Sequence, residues 1–163
     1  MNSIVEFLQK HLSTKPAIIG LSGGVDSAVV AYLCAQAIPP SQIYSYFLPS
    51  ATNAPDDARH AAMVAEALHI HYTAIPIDPL VAAFEMHIGE LSDLTVGNIK
   101  ARIRMTILYA QANQHQGLVI GTGNKTELQL GYFTKYGDGG VDLLPLANLY
   151  KTQVWELAGQ LGI

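Results

Sequence analysis

Eight consecutive residues, Gly20, Leu21, Ser22, Gly23, Gly24, Val25, Asp26 and Ser27, bring together the groups that hold a phosphate. Adjacent glycines let the backbone turn sharply and approach an anion, and a helix starting behind them offers unpaired N–H groups with a favourable dipole. The hydroxyls of Ser22 and Ser27 add donors. Asp26 has no place in a pocket built only for anions, whereas a Mg²⁺ bridging phosphates accounts for a carboxylate there. The segment carries neither the lysine-ended Walker pattern nor the G-x-G-x-x-G of a dinucleotide turn. The plainer reading is a strand–turn–helix corner with Asp26 and Ser27 as caps.

A second chemistry-bearing stretch runs Gly121-Thr-Gly-Asn-Lys-Thr-Glu-Leu-Gln-Leu-Gly-Tyr-Phe-Thr-Lys-Tyr-Gly-Asp-Gly-Gly140. Glu127 supplies a second carboxylate that can share a metal with Asp26 if the two loops meet at one sheet rim; alone, it also reads as a first-turn acid on a helix dipole. Arg102, Lys125, Lys135 and Lys151 are the local cations that an acidic chain needs to bind a polyphosphate. Arg104 reads equally well as the solvated side of its helix, and Lys151 as an ordinary residue of a last helix.

The S-G-G-x-D-S pattern over residues 22–27 resembles the pyrophosphate loop of the adenylating ATP pyrophosphatases, which split ATP between its α and β phosphates. The Gly121–Gly140 stretch, with Asp142, Pro145 and Leu149-Tyr-Lys-Thr-Gln153, resembles the signature region of NAD synthetase. Gly97-Asn-Ile-Lys-Ala-Arg-Ile-Arg-Met105 is similar to that family's G-N-x-x-A-R-x-R-M helix. The resemblance implies ammonia-dependent amidation of deamido-NAD through an acyl-adenylate. It implies that Gly20 through Ser27, Thr122 and Lys151 contact ATP, with Thr122 on the adenosine part, and that Asp26 and Glu127 hold Mg²⁺. It places Arg102, Lys135 and Asp142 on deamido-NAD, and it implies a symmetric homodimer. No general base stands out. The family pattern continues beyond Ile163 with a P-[ST]-A-type segment and an acidic run, so the chain is expected to stop short of it.

Placing these residues requires strands that alternate with helices. Short apolar runs at 17–21, 43–48, 71–77 and 118–121 read as buried strands, with Val141–Leu144 as a fifth. Helical spacing marks a first helix carrying Ile4, Phe7, Leu8 and Leu12. Further helices are expected over 27–37, 55–69, 78–87, 98–116, 127–132 and 151–161. This pattern predicts one α/β domain over 1–163, a doubly wound parallel sheet with helices on both faces, Rossmann-like in the manner of the adenine nucleotide alpha hydrolases. The loops beginning at Leu21, Leu48 and Gly121 are then expected to share one rim, where ligands bind in such sheets. Residues 134–140, with three glycines, read as a mobile loop that orders on substrate. In the 98–116 helix, Met105, Leu108 and Tyr109 form a second apolar side that a dimer contact would bury.

The bulk properties narrow the field further. The 163 residues carry 9 Lys and Arg against 13 Asp and Glu, a formal charge of −4, which disfavours broad binding to nucleic acid or anionic membranes. Half of the residues are hydrophobic, enough to build a core, and no apolar run approaches the length needed to span a bilayer. With Glu6 and Lys10 the N-terminus lacks a signal peptide's pattern, and a cytoplasmic location is expected. Cys34, the single cysteine, sits in an apolar helix and reads as a buried structural thiol. His60, His69 and His71 read as surface residues without the companions of a metal site. Two other functions fit parts of the pattern: another adenylating ATP pyrophosphatase that amidates or thiolates its substrate, and an inactive nucleotide-binding module.

Overall fold

The structure is a computed structural model and describes residues 1–163. Four parallel strands, β1 (Ala17–Gly20), β2 (Ile43–Phe47), β3 (His71–Ala74) and β4 (Leu118–Ile120), lie in the order β3-β2-β1-β4. Ala17 pairs with both Ile43 and Leu118, which makes β1 central. Its side chains alternate between two cores. Ala17 and Ile19 join a cluster with Leu8, Leu33 and Leu157, while Ile18 joins Ile77, Ile103 and Val119 on the opposite face. A strand buried on both sides needs the unbroken apolar run that Ala-Ile-Ile-Gly supplies.

The first face is covered by α1 (Asn2–Leu12), α2 (Val25–Ala37), α3 (Asp57–Leu68) and α7 (Lys151–Leu161). The second is covered by α4 (Asp78–Ile88) and α5 (Asp93–His115), and α6 (Lys125–Leu130) follows β4. Cys34 is fully buried in α2, and burial pushes its thiol up to about 12. No helix is long and apolar enough to cross a membrane.

Three sequence expectations need correction. Val141–Leu144 is not a fifth strand; it makes one bridge, Leu143 to Ile120. The Asp142 carboxylate accepts the Val119 N–H at 2.8 Å, taking the donor that a neighbouring strand's carbonyl would need, and Pro145 follows. The long helix begins at Asp93 rather than 98, because the Ser92 side chain caps it by accepting the Thr95 N–H, and it runs through Gly97 at the modest cost of one helical glycine. The short helix spans Lys125–Leu130 rather than 127–132. Asn124 and Glu127 form a capping box at its start, and Gly131 ends it with φ +67°.

Candidate active site

The strand order reverses direction between β1 and β4, and such a switch point leaves a crevice outside the carboxyl ends of the strands. The loops after β1, β2 and β4 meet there, as their placement in sequence predicts. After β1, the chain folds back on itself. Ser27 Oγ donates to the Gly24 carbonyl at 2.9 Å and accepts the Ser22 N–H at 3.2 Å. Gly23 has φ +87°, and a Cβ there would lie 2.4 Å from the Asp57 carbonyl oxygen at the start of α3, so only glycine fits. Gly24 is different: a Cβ would meet only Ser22 Oγ, at 3.4 Å. Its openness leaves the backbone accessible on the cavity side.

Asn124 joins the β1 and β4 loops. It is fully buried; its Nδ2 donates to Asp26 Oδ1 at 3.1 Å, its N–H donates to Glu127 Oε2 at 3.0 Å, and its Oδ1 accepts the Glu127 N–H at 3.1 Å. One residue thus sets both carboxylates in place, that of Asp26 through its side-chain amide and that of Glu127 through its backbone N–H. The other Asp26 oxygen pairs with Lys151 Nζ at the start of α7, whose own N–H donates to Thr126 Oγ1 at 3.0 Å.

Two adjoining cavities open at this rim. The smaller, about 180 Å³, has no hydrophobic residue in its lining and presents Ser22, Asp26, Ser27, Thr122 and Glu127. The larger, about 420 Å³, runs between Gly20–Ser22, Tyr46–Leu48 and α5, where Ala101, Arg104, Met105 and Leu108 line it. Ser22, Thr122 and Asp138 border both. The polar cavity suits a hard divalent cation with its phosphate. Its carboxylates and hydroxyls are all-oxygen donors; Asp138, the third carboxylate on its border, accepts the Thr134 N–H and does not join Asp26 and Glu127 in a protein cage, and Mg²⁺ characteristically keeps room for water and phosphate oxygens.

Met105 and Leu108 line the larger cavity, Leu108 and Tyr109 pack against the second core, and Tyr109 donates to Asp142 at 3.2 Å, so the apolar side expected to await a dimer partner faces this cavity and core. Burial, then the Asp142 charge and hydrogen bond, hold the Tyr109 hydroxyl above its usual range. Arg104 is not a solvated surface residue. It donates through Nε to the Leu48 carbonyl at 2.8 Å, and desolvation lowers its pKa against the opposing charge of Asp78. Arg102 and Lys135 are both exposed and meet outside the two cavities, Arg102 Nε donating to the Lys135 carbonyl at 3.2 Å. Asp142 has both carboxylate oxygens engaged, by Tyr109 and Val119.

The glycine-rich segment is a set of defined turns on α5. Asp138 Oδ1 accepts the Thr134 N–H at 2.8 Å, Thr134 donates to Asn98 at 2.8 Å, and Gly137 packs where a Cβ would touch Ala101 at 3.0 Å. Among the histidines, His71 stacks on Tyr44 and His69 closes α3 at φ +53°, while His60 lies beside Arg59.

The NAD synthase family model matches residues 1–163 in full. The chain belongs to the NAD synthase family. It is 49% identical over 98% of its length to the NH₃-dependent NAD⁺ synthetase of Archaeoglobus fulgidus, and 46% identical over 99% to that of Methanosarcina acetivorans. It spans 66% of the length of each of these relatives. Among solved structures it superposes on the NH₃-dependent NAD synthetase of Campylobacter jejuni with a TM-score of 0.94 at 33% identity, covering 99% of this chain and 72% of that one. The NMN synthetase of Francisella tularensis gives the same TM-score at 40% identity, covering 99% and 69%.

Within this NAD synthase fold, two residues of the motif stretches, Asn124 and Arg104, have partners that the motifs alone do not specify. Asn124 carried a usable signal, since asparagine three residues before Glu127 is a capping pattern. Arg104 stands in the A-R-x-R-M pattern, but its burial is not legible there, because burial of an arginine depends on a cavity that only the assembled fold creates.

Proposed function

We propose that this chain catalyses the ATP-dependent amidation of deamido-NAD to NAD, with ammonia as nitrogen donor and AMP and pyrophosphate as the other products. The observation that carries this reading is the joined pair of cavities, one polar with Asp26 and Glu127, the other of a size and lining suited to an adenosine. Residues Gly20 through Ser27 cradle the phosphates, Gly24 and Ser22 facing the polar cavity. Thr122, on the border, contacts the nucleoside side.

Asp26 and Glu127 hold Mg²⁺, which supplies charge neutralisation for the departing pyrophosphate. Lys151 moves its ammonium from Asp26 to the ATP phosphates once other charge compensates the carboxylate. Arg102, Lys135 and Asp142 contact deamido-NAD; the first two stand together on the open side of α5, within reach of an anionic dinucleotide. The nicotinate carboxylate attacks the α-phosphorus, pyrophosphate leaves, and ammonia displaces AMP from the acyl carbon. With no general base in the polar cavity's lining beyond carboxylates, rate enhancement comes from positioning and charge.

The chain works as a symmetric homodimer in the cytoplasm. Exposed Leu80, Phe84, Met86 and Ile88 on α4, with Leu94 early in α5, offer the apolar surface for that contact, in place of the Met105 side of α5. Incubation with ATP, Mg²⁺, deamido-NAD and ammonia, followed by mass spectrometry, tests the reading. NAD and AMP appearing together support it; ATP binding without turnover indicates a nucleotide-binding module.

A further inference from the structure

We propose that Arg104 is a positioning residue that ties α5 to the phosphate loop through the Leu48–Asp57 turn; this rests on the larger cavity being the nucleotide chamber. The guanidinium lies in the wall of that cavity, donating to the Leu48 carbonyl at 2.8 Å and to Ser50 Oγ at 3.4 Å. Ser50 is itself buried, and its N–H donates to Asn53 Oδ1 at 2.9 Å. Asn53, another wall residue, donates through Nδ2 to Asp57 Oδ2 at 2.9 Å, and the same carboxylate oxygen accepts the Ala54 N–H at 3.1 Å. Asp57 then closes the path, because its backbone is the surface that forces Gly23 to remain a glycine at φ +87°.

Each link is a buried or half-buried polar group whose partner is specified, so removing one end leaves the others unpaired or displaced. A guanidinium taken partly out of water is costly unless it finds partners, and the two hydrogen bonds it makes here both go to the turn rather than to an acid. That use of an arginine fixes the width of the chamber between β2 and α5 and sets where α3 begins. The consequence for the reaction is that α5, which carries Arg102 for the second substrate, and Gly23, which packs on Asp57 beside the cavity-facing Gly24, are held in one register.

The test is amide NMR on the ligand-free protein together with ATP calorimetry. Arg104→Met should displace the Gly23 and Gly24 signals, although neither residue touches Arg104, and weaken ATP binding by about tenfold. Arg104→Lys, able to keep one donor on Leu48, should restore part of both effects. Asp57→Ala should move the same glycine signals and also the Arg104 Nε signal, and combining it with Arg104→Met should add little to the loss of ATP affinity. Unmoved glycine signals in a folded Arg104→Met protein, an Arg104 Nε signal unmoved in Asp57→Ala, or fully additive losses overturn the proposal. A wild-type chain that fails to bind ATP overturns the functional reading instead, and the glycine signals still decide the connection.

Discussion

Lys151 and Asp26, 125 residues apart in sequence, form an ion pair at the floor of the polar cavity, with the Asp26 side chain mostly covered and the Lys151 side chain partly so. The lysine neutralises the Asp26 carboxylate, which already sits favourably in the first turn of α2. The pair also fastens α7 to the first turn of α2.

If Lys151 competes with a cation for Asp26, Lys151→Met should bind Mn²⁺ more tightly in the absence of ATP, by about tenfold or less for one half-exposed charge. Electron paramagnetic resonance titration of free Mn²⁺ measures this directly. An affinity equal to wild type would show that Asp26 is not the competing ligand.

Asp26→Asn and Glu127→Gln should each abolish Mg²⁺-dependent turnover while the chain stays folded. Glutamine at 127 can still accept the Asn124 N–H, so the capping box survives and lost activity reflects lost charge. Circular dichroism with a turnover assay over a Mg²⁺ series checks both; wild-type rates at limiting Mg²⁺ would remove the shared-metal assignment.

Neighbouring glycines should behave oppositely. Gly23→Ala should destabilise the fold, by about 1–2 kcal/mol for the left-handed backbone alone and more for the clash with Asp57. Gly24→Val should fold normally and bind ATP more weakly, because its Cβ space is free until phosphate enters. Thermal melts and calorimetry separate the two, and unchanged ATP affinity in Gly24→Val would move the nucleotide elsewhere.

Alkaline stability should depend on Cys34. Its pKa in the fold, about 12, lies above the ordinary value of 9.0, so its contribution is complete below pH 9 and is lost as pH rises toward 12. The loss has a limiting slope of about 1.4 kcal/mol per pH unit. Urea titrations between pH 8.5 and 11 should show a shallower decline for Cys34→Ala than for wild type; parallel declines would contradict the buried thiol.

Much of this arrangement is legible in the sequence because it is local. The strand–loop–helix corner at Gly20–Ser27 and the carboxylates Asp26 and Glu127 can be placed from spacing, since parallel strands direct their loops to one rim. What escapes is set by tertiary context. Val141–Leu144 reads as a strand but loses its ladder to the Asp142 side chain, and the helix expected from 98 starts at Asp93 because the Ser92 cap sets its beginning. Residues 134–140 look mobile from their glycines, yet Asp138 and Ala101 give those glycines specific turns to fill.

The most direct test of the account follows oxygen. Deamido-NAD labelled with ¹⁸O in the nicotinate carboxylate is incubated with the protein, ATP, Mg²⁺ and ammonia, and the AMP is weighed by mass spectrometry. Attack of that carboxylate on the α-phosphorus at the Ser22–Asp26 loop predicts AMP carrying one ¹⁸O and an equal yield of NAD. Unlabelled AMP, or release of ADP in its place, would contradict it.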